Sequence, residues 1–348
     1  MDRLASKGVL FTRAISNGPV TDFSFPAIFT STYPPMHKVE SYAVRLSKNY
    51  ITLAEALRRA GYSTLGFLSS NPFLSSYFGY DVGFKYFDED KRSHQRTTWI
   101  GFFKRIMALQ KHLCRLSGKY CLIRALLTTL LKSHKNATYY LVAEKINERI
   151  LSKLRKRSFA DKFFLAVHYM DVHTPYLQSI KYLSKLRNSM HLFRDSLKIH
   201  YKISHNQSSI DDEDKCMAML LYDAAIQYVD RCIFSLLSEL EKEGIGLDNT
   251  YVIITSDHGE GFREHNFFGH KAQLFDELLH VPLIVCGPHI KPKIVDDLIG
   301  LIDIAPTILE LVQVKPPRGF LGKSVVPLLL GDEENRGRKY VISEVFSS

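Results

Sequence analysis

The 348 residues include 46 Lys and Arg against 36 Asp and Glu, for a net charge of +10, with 45% hydrophobic and 24% charged residues. These proportions are globular and exclude collagenous, wholly disordered and disulfide-framework chains, and the length suffices for one large α/β domain with a core. No uncharged apolar run reaches the ~18 residues a membrane-spanning helix needs, and the opening MDRLASKGVLF lacks the apolar centre of a secretory signal. The five cysteines (Cys114, Cys121, Cys216, Cys232 and Cys286) are odd in number and without CxxC spacing, which argues against a zinc knuckle and favours a reducing compartment. A cytoplasmic location is therefore expected.

In chain order, residues 1–18 read as the end of a helix, Gly8, and a strand at Val9-Leu10-Phe11. Thr21 and Ser24 stand shortly before Pro26. A hydroxyl residue ahead of a Pro-initiated helix is a good N-cap, and the positive end of that helix also suits a nucleophile aimed at a phosphate or sulfate. Ile51 to Ala60 is an amphipathic helix closed by Gly61, and Tyr62 to Leu68 a strand. Helix, glycine and strand in that order is the rhythm of a mostly parallel sheet.

The pattern changes at Lys91. Between Lys91 and Arg157 lie 17 basic and 2 acidic residues, +15, which leaves about −5 for the remainder. This basic helical insertion, helix-like over Trp99–His134, suits a solvated lid or an anionic membrane surface, and nothing in it matches a groove-reading nucleic-acid motif. Tyr139 to Leu154 continues as helix. Phe163 to Val167 is then a strand running into HYMDVHTPY, where Asp171 and His173 gather at its carboxyl end. Residues 177–212 read as a surface loop with short helices, and Lys215 to Lys242 as a long helix.

Tyr251 to Thr255 is an apolar, β-branched run that predicts a strand buried on both faces. Asp257 and His258 follow at its carboxyl end, where open α/β sheets bind ligands, and His265 and His270 return within one loop. A carboxylate beside an imidazole offers the oxygen and nitrogen donors that zinc, manganese or a similar ion accepts. A helix over Ala272–Leu279, a strand at Val281–Val285, a helix ending at Val312 and a strand candidate within Arg336–Val345 complete the pattern.

TSDHGEGFREHNFFGH, LFDELLHVPLIV, LIDIAPTILEL, HYMDVHTPY and LYDAAIQYVD occur in an order that resembles the sulfatase-type hydrolases of the alkaline phosphatase superfamily. The resemblance covers nearly the whole chain except about 91–135. It implies one sulfatase-type domain over 1–348, a three-layer α/β/α sandwich around a mostly parallel sheet, with the basic insertion at 91–157. It also implies hydrolysis of an anionic sulfate or phosphate ester. Ser24, two residues before Pro26, matches the nucleophile position; Asp257 and His258 match ligands of a divalent ion (Ca, Mn, Zn or Mg). His173 and His270 match histidines that hold the transferred group or a second metal. Asp171, as an acceptor orienting His173 or His168 or as a turn residue, and His265 complete the expected substrate-binding set.

Three departures qualify those expectations. Ile28 replaces the Arg associated with formylglycine conversion, and Phe67-Leu68-Ser69-Ser70-Asn71 replaces a Lys-Trp-His stretch of sulfate binders. Both shift weight toward phosphate-ester chemistry. The opening strand with an acidic pair that the resemblance implies is not found within 1–348, nor is the last small sheet. A chain truncated at both ends, inactive and at most binding anions or a partner, is the rival expectation. A transferase moving a phosphoryl-linked head group at a membrane surface is a third. Without the opening strand, neighbouring sheet edges should lie open.

Overall fold

The computed structural model describes residues 1–39, 44–68, 71, 73–89, 141–156, 162–176, 189–205, 209–332 and 337–346. The expected helix at Trp99–His134, and with it most of the basic insertion, lies outside these residues. Among the described residues no helix is long and apolar enough to cross a membrane.

The elements are α1 (Asp2–Ala5), β1 (Val9–Ile15), α2 (Thr21–Thr30), α3 (Pro34–His37), α4 (Leu53–Arg59), β2 (Ser63–Leu68), β3 (Tyr86–Glu89), α5 (Ala143–Arg155) and β4 (Phe163–His168). They continue with α6 (Ser189–His205), α7 (Asp212–Lys242), β5 (Val252–Thr255), β6 (Gly261–Phe262), β7 (Phe268–Gly269), α8 (Asp276–Leu279) and β8 (His280–Cys286). Last come β9 (Lys293–Val295), β10 (Ile299–Gly300), α9 (Ile304–Leu311) and α10 (Val326–Leu330). The predicted helix at Ala272–Leu279 is confined to its last turn, α8.

Among the described residues the strands form two larger sheets and a two-stranded hairpin, β6-β7. β3-β2-β4 is wholly parallel, with Leu65 opposite Leu165 and Tyr86. The order β10-β1-β8-β5 is mixed, because β8 runs antiparallel to both β1 and β5, while β9 and β10 run parallel to β1. The expected mostly parallel arrangement holds, with β8 as the antiparallel exception: the helical crossovers around β2 and β4 give parallel pairs, whereas no long helix lies between β5 and β8.

The layers follow from strand alternation. On β4, Phe163, Leu165 and Val167 join Leu65 and Phe67 against Ile146 and Ile150 of α5 and Leu236 and Leu240 of α7. Phe164 and Ala166 point the other way, toward Phe25 and Phe29 of α2 and Ala54 of α4. Helices thus cover both faces, the α/β/α arrangement.

β5 differs from its prediction. All four residues of β5 and all six of β4 are only half-buried, whereas β2 is buried throughout. Each strand pairs along one edge only among the described residues. An apolar run reads as doubly buried from its composition, yet burial also requires a neighbour on each edge.

The tail holds no strand among its described residues. It is fastened as extended chain: Asn17 Nδ2 donates to the Ile342 carbonyl at 2.8 Å, and the Glu344 amide donates to the Asn17 carbonyl at 3.1 Å.

Candidate functional site

Thr21, Asp257 and His258 meet where α2 begins and β5 ends. The helix starts earlier than its Pro-based prediction. Val20 is the N-cap, Thr21 the first helical residue, and Pro26 lies inside. Ser24 is consequently the fourth residue of the helix and fully buried. Its hydroxyl lies 3.0 Å from the Val20 carbonyl, the back-bond typical of a helical serine, and 3.4 Å from Asp257 Oδ2. Thr21 is half-buried, and its Oγ1 lies 3.4 Å from His258 Nε2.

The His258 tautomer is fixed by its other nitrogen. Nδ1 lies 2.8 Å from the Gly259 carbonyl, which can only accept, so Nδ1 carries the proton and Nε2 presents a lone pair to Thr21. His173 is held in the same way, with Nδ1 2.7 Å from the Thr174 carbonyl. Burial pushes both imidazoles below their ordinary pKa, to about 4 for His173, so both are neutral at pH 7. Burial alone would raise the Asp257 carboxyl, but His258, His168, the Thr21 hydroxyl and His270 together bring it below the usual range.

His270 enters through a hairpin. Gly261 pairs with Gly269 and Phe262 with Phe268, which sets residue 260 opposite residue 270. His270 Nδ1 then lies 3.0 Å from Glu260 Oε1, and the Tyr176 hydroxyl lies 3.4 Å from Glu260 Oε2. Burial works against the His270 proton, but Glu260 outweighs it and raises the pKa. The His270 ring centroid is 4.3 Å from that of His258 and 4.9 Å from that of His173. Gly259 is required at the turn: a Cβ there would stand 2.0 Å from the Glu277 carbonyl oxygen.

The site therefore gathers Thr21, Ser24, His173, Asp257, His258 and His270 from four stretches of chain. Two expected members stand elsewhere. His265 is half-exposed, stacked on Phe275 at 4.0 Å, with Nε2 3.6 Å from Glu277. Asp171 is buried, and its Oδ2 accepts the Ala143 amide at 3.1 Å, satisfying a free donor at the start of α5 rather than orienting His173. The His173 ring, for its part, is fastened by Nδ1 to the Thr174 carbonyl, and Asp171 Oδ1 is buried without a hydrogen-bond partner among the described residues. Burial lifts the Asp171 pKa to about 7.

Glu260 and His168 escaped the sequence reading as site residues. Glu260 lies in plain view, five residues past the end of β5, but only the hairpin register joins it to His270. His168 ends β4, packs edge-on against Phe25 at 5.3 Å, and buries Nδ1 without a hydrogen-bond partner among the described residues. Among those residues no group of three or more His, Cys, Asp or Glu side chains forms a metal cage. Asp257 Oδ2 and His258 Nε2, 3.8 Å apart, are an oxygen and nitrogen donor pair that fits a divalent ion in chemistry though not, alone, in number.

Residues 1–314 match the family model described as Sulfatase. The chain is 25% identical to an uncharacterized sulfatase, YidJ, of Escherichia coli (strain K12), with 94% of this chain and 65% of the relative covered. It is 25% identical to arylsulfatase K of Xenopus laevis, covering 92% and 60% respectively. The chain thus spans under two thirds of the length of these two relatives. In structure it resembles a phosphonate monoester hydrolase from Silicibacter pomeroyi, with a TM-score of 0.69 at 20% identity over 99% of this chain and 74% of the other. It also resembles a 2-O GAG sulfatase, with a TM-score of 0.67 at 18% identity over 99% and 71%.

Proposed function

This chain belongs to the sulfatase family, and from that premise we propose that it is a hydrolase of sulfate or phosphate esters with Thr21 as nucleophile. The observation that carries the reading is the position of Thr21. It stands at the first residue of a ten-residue helix, half-buried, 3.4 Å from the lone pair of His258 Nε2. Ser24 is the weaker candidate, because its hydroxyl is spent on the Val20 carbonyl and it has no exposed surface. Its oxygen lies 3.4 Å from Asp257 Oδ2.

Asp257 and His258 would hold a divalent ion of the Ca, Mn, Zn or Mg class, with the Thr21 hydroxyl beside it. When bound, such an ion lowers the hydroxyl pKa and neutralises the ester oxygens. The chain's own groups do the rest. The amides at the start of α2 favour the anionic group. Thr21 Oγ1 loses its proton to solvent and bonds to the sulfur or phosphorus as the bond to the ester oxygen breaks, and the departing alkoxide takes a proton from His270, whose protonated form Glu260 favours. Water then displaces Thr21 and releases the inorganic anion. The basic stretch 91–157 is proposed to serve as a lid or to rest on an anionic membrane surface.

The test is turnover of 4-nitrophenyl sulfate and 4-nitrophenyl phosphate by wild type, Thr21→Ala and Ser24→Ala, with Mn²⁺, Zn²⁺, Ca²⁺ or Mg²⁺ present. The reading expects Thr21→Ala alone to abolish turnover; full activity in that variant overturns it. One observation favours a second reading, that of a fold-keeping protein without catalysis: the donor pair Asp257 and His258 has no third ligating side chain among the described residues. That reading predicts no turnover of either ester by wild type and no thermal shift with any of the four ions.

A further inference from the structure

We infer that Glu260 is a positioning residue, which sets the orientation and tautomer of His270 and is itself locked by Tyr176. The inference rests on the ester-hydrolase reading for its consequence in turnover, but on geometry alone for the arrangement. Glu260 Oε1 is 3.0 Å from His270 Nδ1, and the Glu260 side chain is 6% exposed. A carboxylate can only accept, so it dictates which ring nitrogen carries hydrogen and leaves His270 Nε2 for the site. The second oxygen receives the Tyr176 hydroxyl at 3.4 Å.

Three elements converge on this one carboxylate. Glu260 itself immediately precedes β6, His270 immediately follows β7 at the opposed position, and Tyr176 belongs to the loop that follows β4. That same loop carries His173, whose ring lies 4.9 Å from His270. The shell behind is apolar and closed: Tyr176 is 1% exposed and packs in one cluster with Ile203, Phe262 and Phe268. A ring held at one nitrogen by a carboxylate, and flanked by two other imidazoles, has one orientation to offer. Were the carboxylate absent, the imidazole could exchange tautomers or turn about its χ2.

The experiment compares wild type, Glu260→Ala, Glu260→Gln and Tyr176→Phe in the full chain. Nitrogen-15 NMR of labelled histidine reports the His270 tautomer, and steady-state turnover of 4-nitrophenyl phosphate and 4-nitrophenyl sulfate reports function. The expected result, read on the neutral ring at a pH above its titration, is Nδ1–H in wild type and in Glu260→Gln, whose amide oxygen still accepts, and a mixed tautomer in Glu260→Ala. Turnover number should fall about 10- to 100-fold in Glu260→Ala with KM nearly unchanged, and recover in large part in Glu260→Gln. An unchanged tautomer in Glu260→Ala overturns the inference. So does an equal loss in the Ala and Gln variants. If Glu260→Ala does not fold, Tyr176→Phe decides, since it removes only a hydroxyl: a smaller loss of turnover number at constant KM supports the inference, and wild-type behaviour overturns it. Should wild type turn over neither ester, the hydrolase reading falls while the NMR result still judges Glu260.

Discussion

Thr21 Oγ1 faces His258 Nε2 at 3.4 Å, while the opposite nitrogen of the same ring donates to the Gly259 carbonyl at 2.8 Å. This pairing separates two neighbouring hydroxyls that composition cannot tell apart. Thr21→Ala is expected to lower kcat by about a thousandfold or more, with Thr21→Ser keeping part of the activity. Ser24→Ala should change kcat less than about tenfold, since its hydroxyl completes a helix back-bond. Steady-state kinetics on both 4-nitrophenyl esters checks the pair, and equal losses at the two positions would remove the distinction.

Much of this site was legible beforehand, and the reasons differ by residue. Asp257, His258, His173 and His270 stand in short ordered motifs at strand ends, so sequence alone brings them near one another. Ser24 is favoured over Thr21 in the sequence because a hydroxyl residue two before a proline matches the nucleophile position of the family it resembles. The backbone instead begins its helix at Thr21 and absorbs Pro26 within it. Glu260 depends on hairpin register, which no local pattern announces. The half-exposure of β5 follows from its pairing along one edge only among the described residues rather than from its own apolar residues.

Metal binding is expected to stabilise the fold. At a free-ion concentration 100 times Kd, a site confined to the native state adds about 2.7 kcal/mol. Mn²⁺, Zn²⁺, Ca²⁺ or Mg²⁺ should therefore raise Tm in wild type, and EDTA should reverse the rise. Asp257→Asn and His258→Ala should each lose it, the Asn variant because a neutral amide is a poorer hard-ion ligand. Differential scanning fluorimetry checks this without reference to turnover.

The open edges make a prediction in hydrogen exchange. Among the described residues β2 is paired on both sides and buried, while β4 and β5 pair on one side and are half-buried throughout. Amides on the free edges of Phe163–His168 and Val252–Thr255 should exchange roughly 100-fold faster than those of Ser63–Leu68. Equal protection in all three strands would mean that the edges are covered in solution.

His37 gives stability a pH dependence. It is fully buried at the end of α3, its Nδ1 accepts the Val39 amide at 3.2 Å, and burial lowers its pKa to about 3. The unfolded chain takes up a proton near pH 6.5, while the folded chain does not until about 3. The unfolded state thus binds more protons in that window, so the contribution is intact above 6.5 and is lost as pH falls toward 3. Between pH 6.5 and 4.5 the loss is about 2–3 kcal/mol. Urea titrations of wild type and His37→Gln at those two pH values should differ by that amount, with the variant the flatter of the two.

Arg338 holds the tail to the site by way of a buried carboxylate. Its guanidinium reaches Asp303 through Nε to Oδ2 at 2.7 Å and Nη2 to Oδ1 at 2.5 Å, and the Asp303 side chain is 1% exposed. Asp303 also accepts the Gly300 and Lys323 amides, at 3.0 and 2.6 Å. Removing the cation strands a buried charge, so Arg338→Ala should cost about 3–5 kcal/mol, and Arg338→Lys should recover only part because an ammonium cannot make the two-pronged contact. The consequence extends to catalysis. Beyond Arg338 the tail fastens Ser16 and Asn17 through Ser343 Oγ at 2.6 Å and the Ile342 and Glu344 backbone at 2.8 and 3.1 Å. Those two residues precede the turn that delivers Thr21, and the Ser16 hydroxyl also bonds the Asp257 carbonyl at 2.5 Å. Arg338→Ala should therefore lower kcat even at temperatures where it remains folded, a loss that Asn17→Ala should reproduce with Arg338 intact.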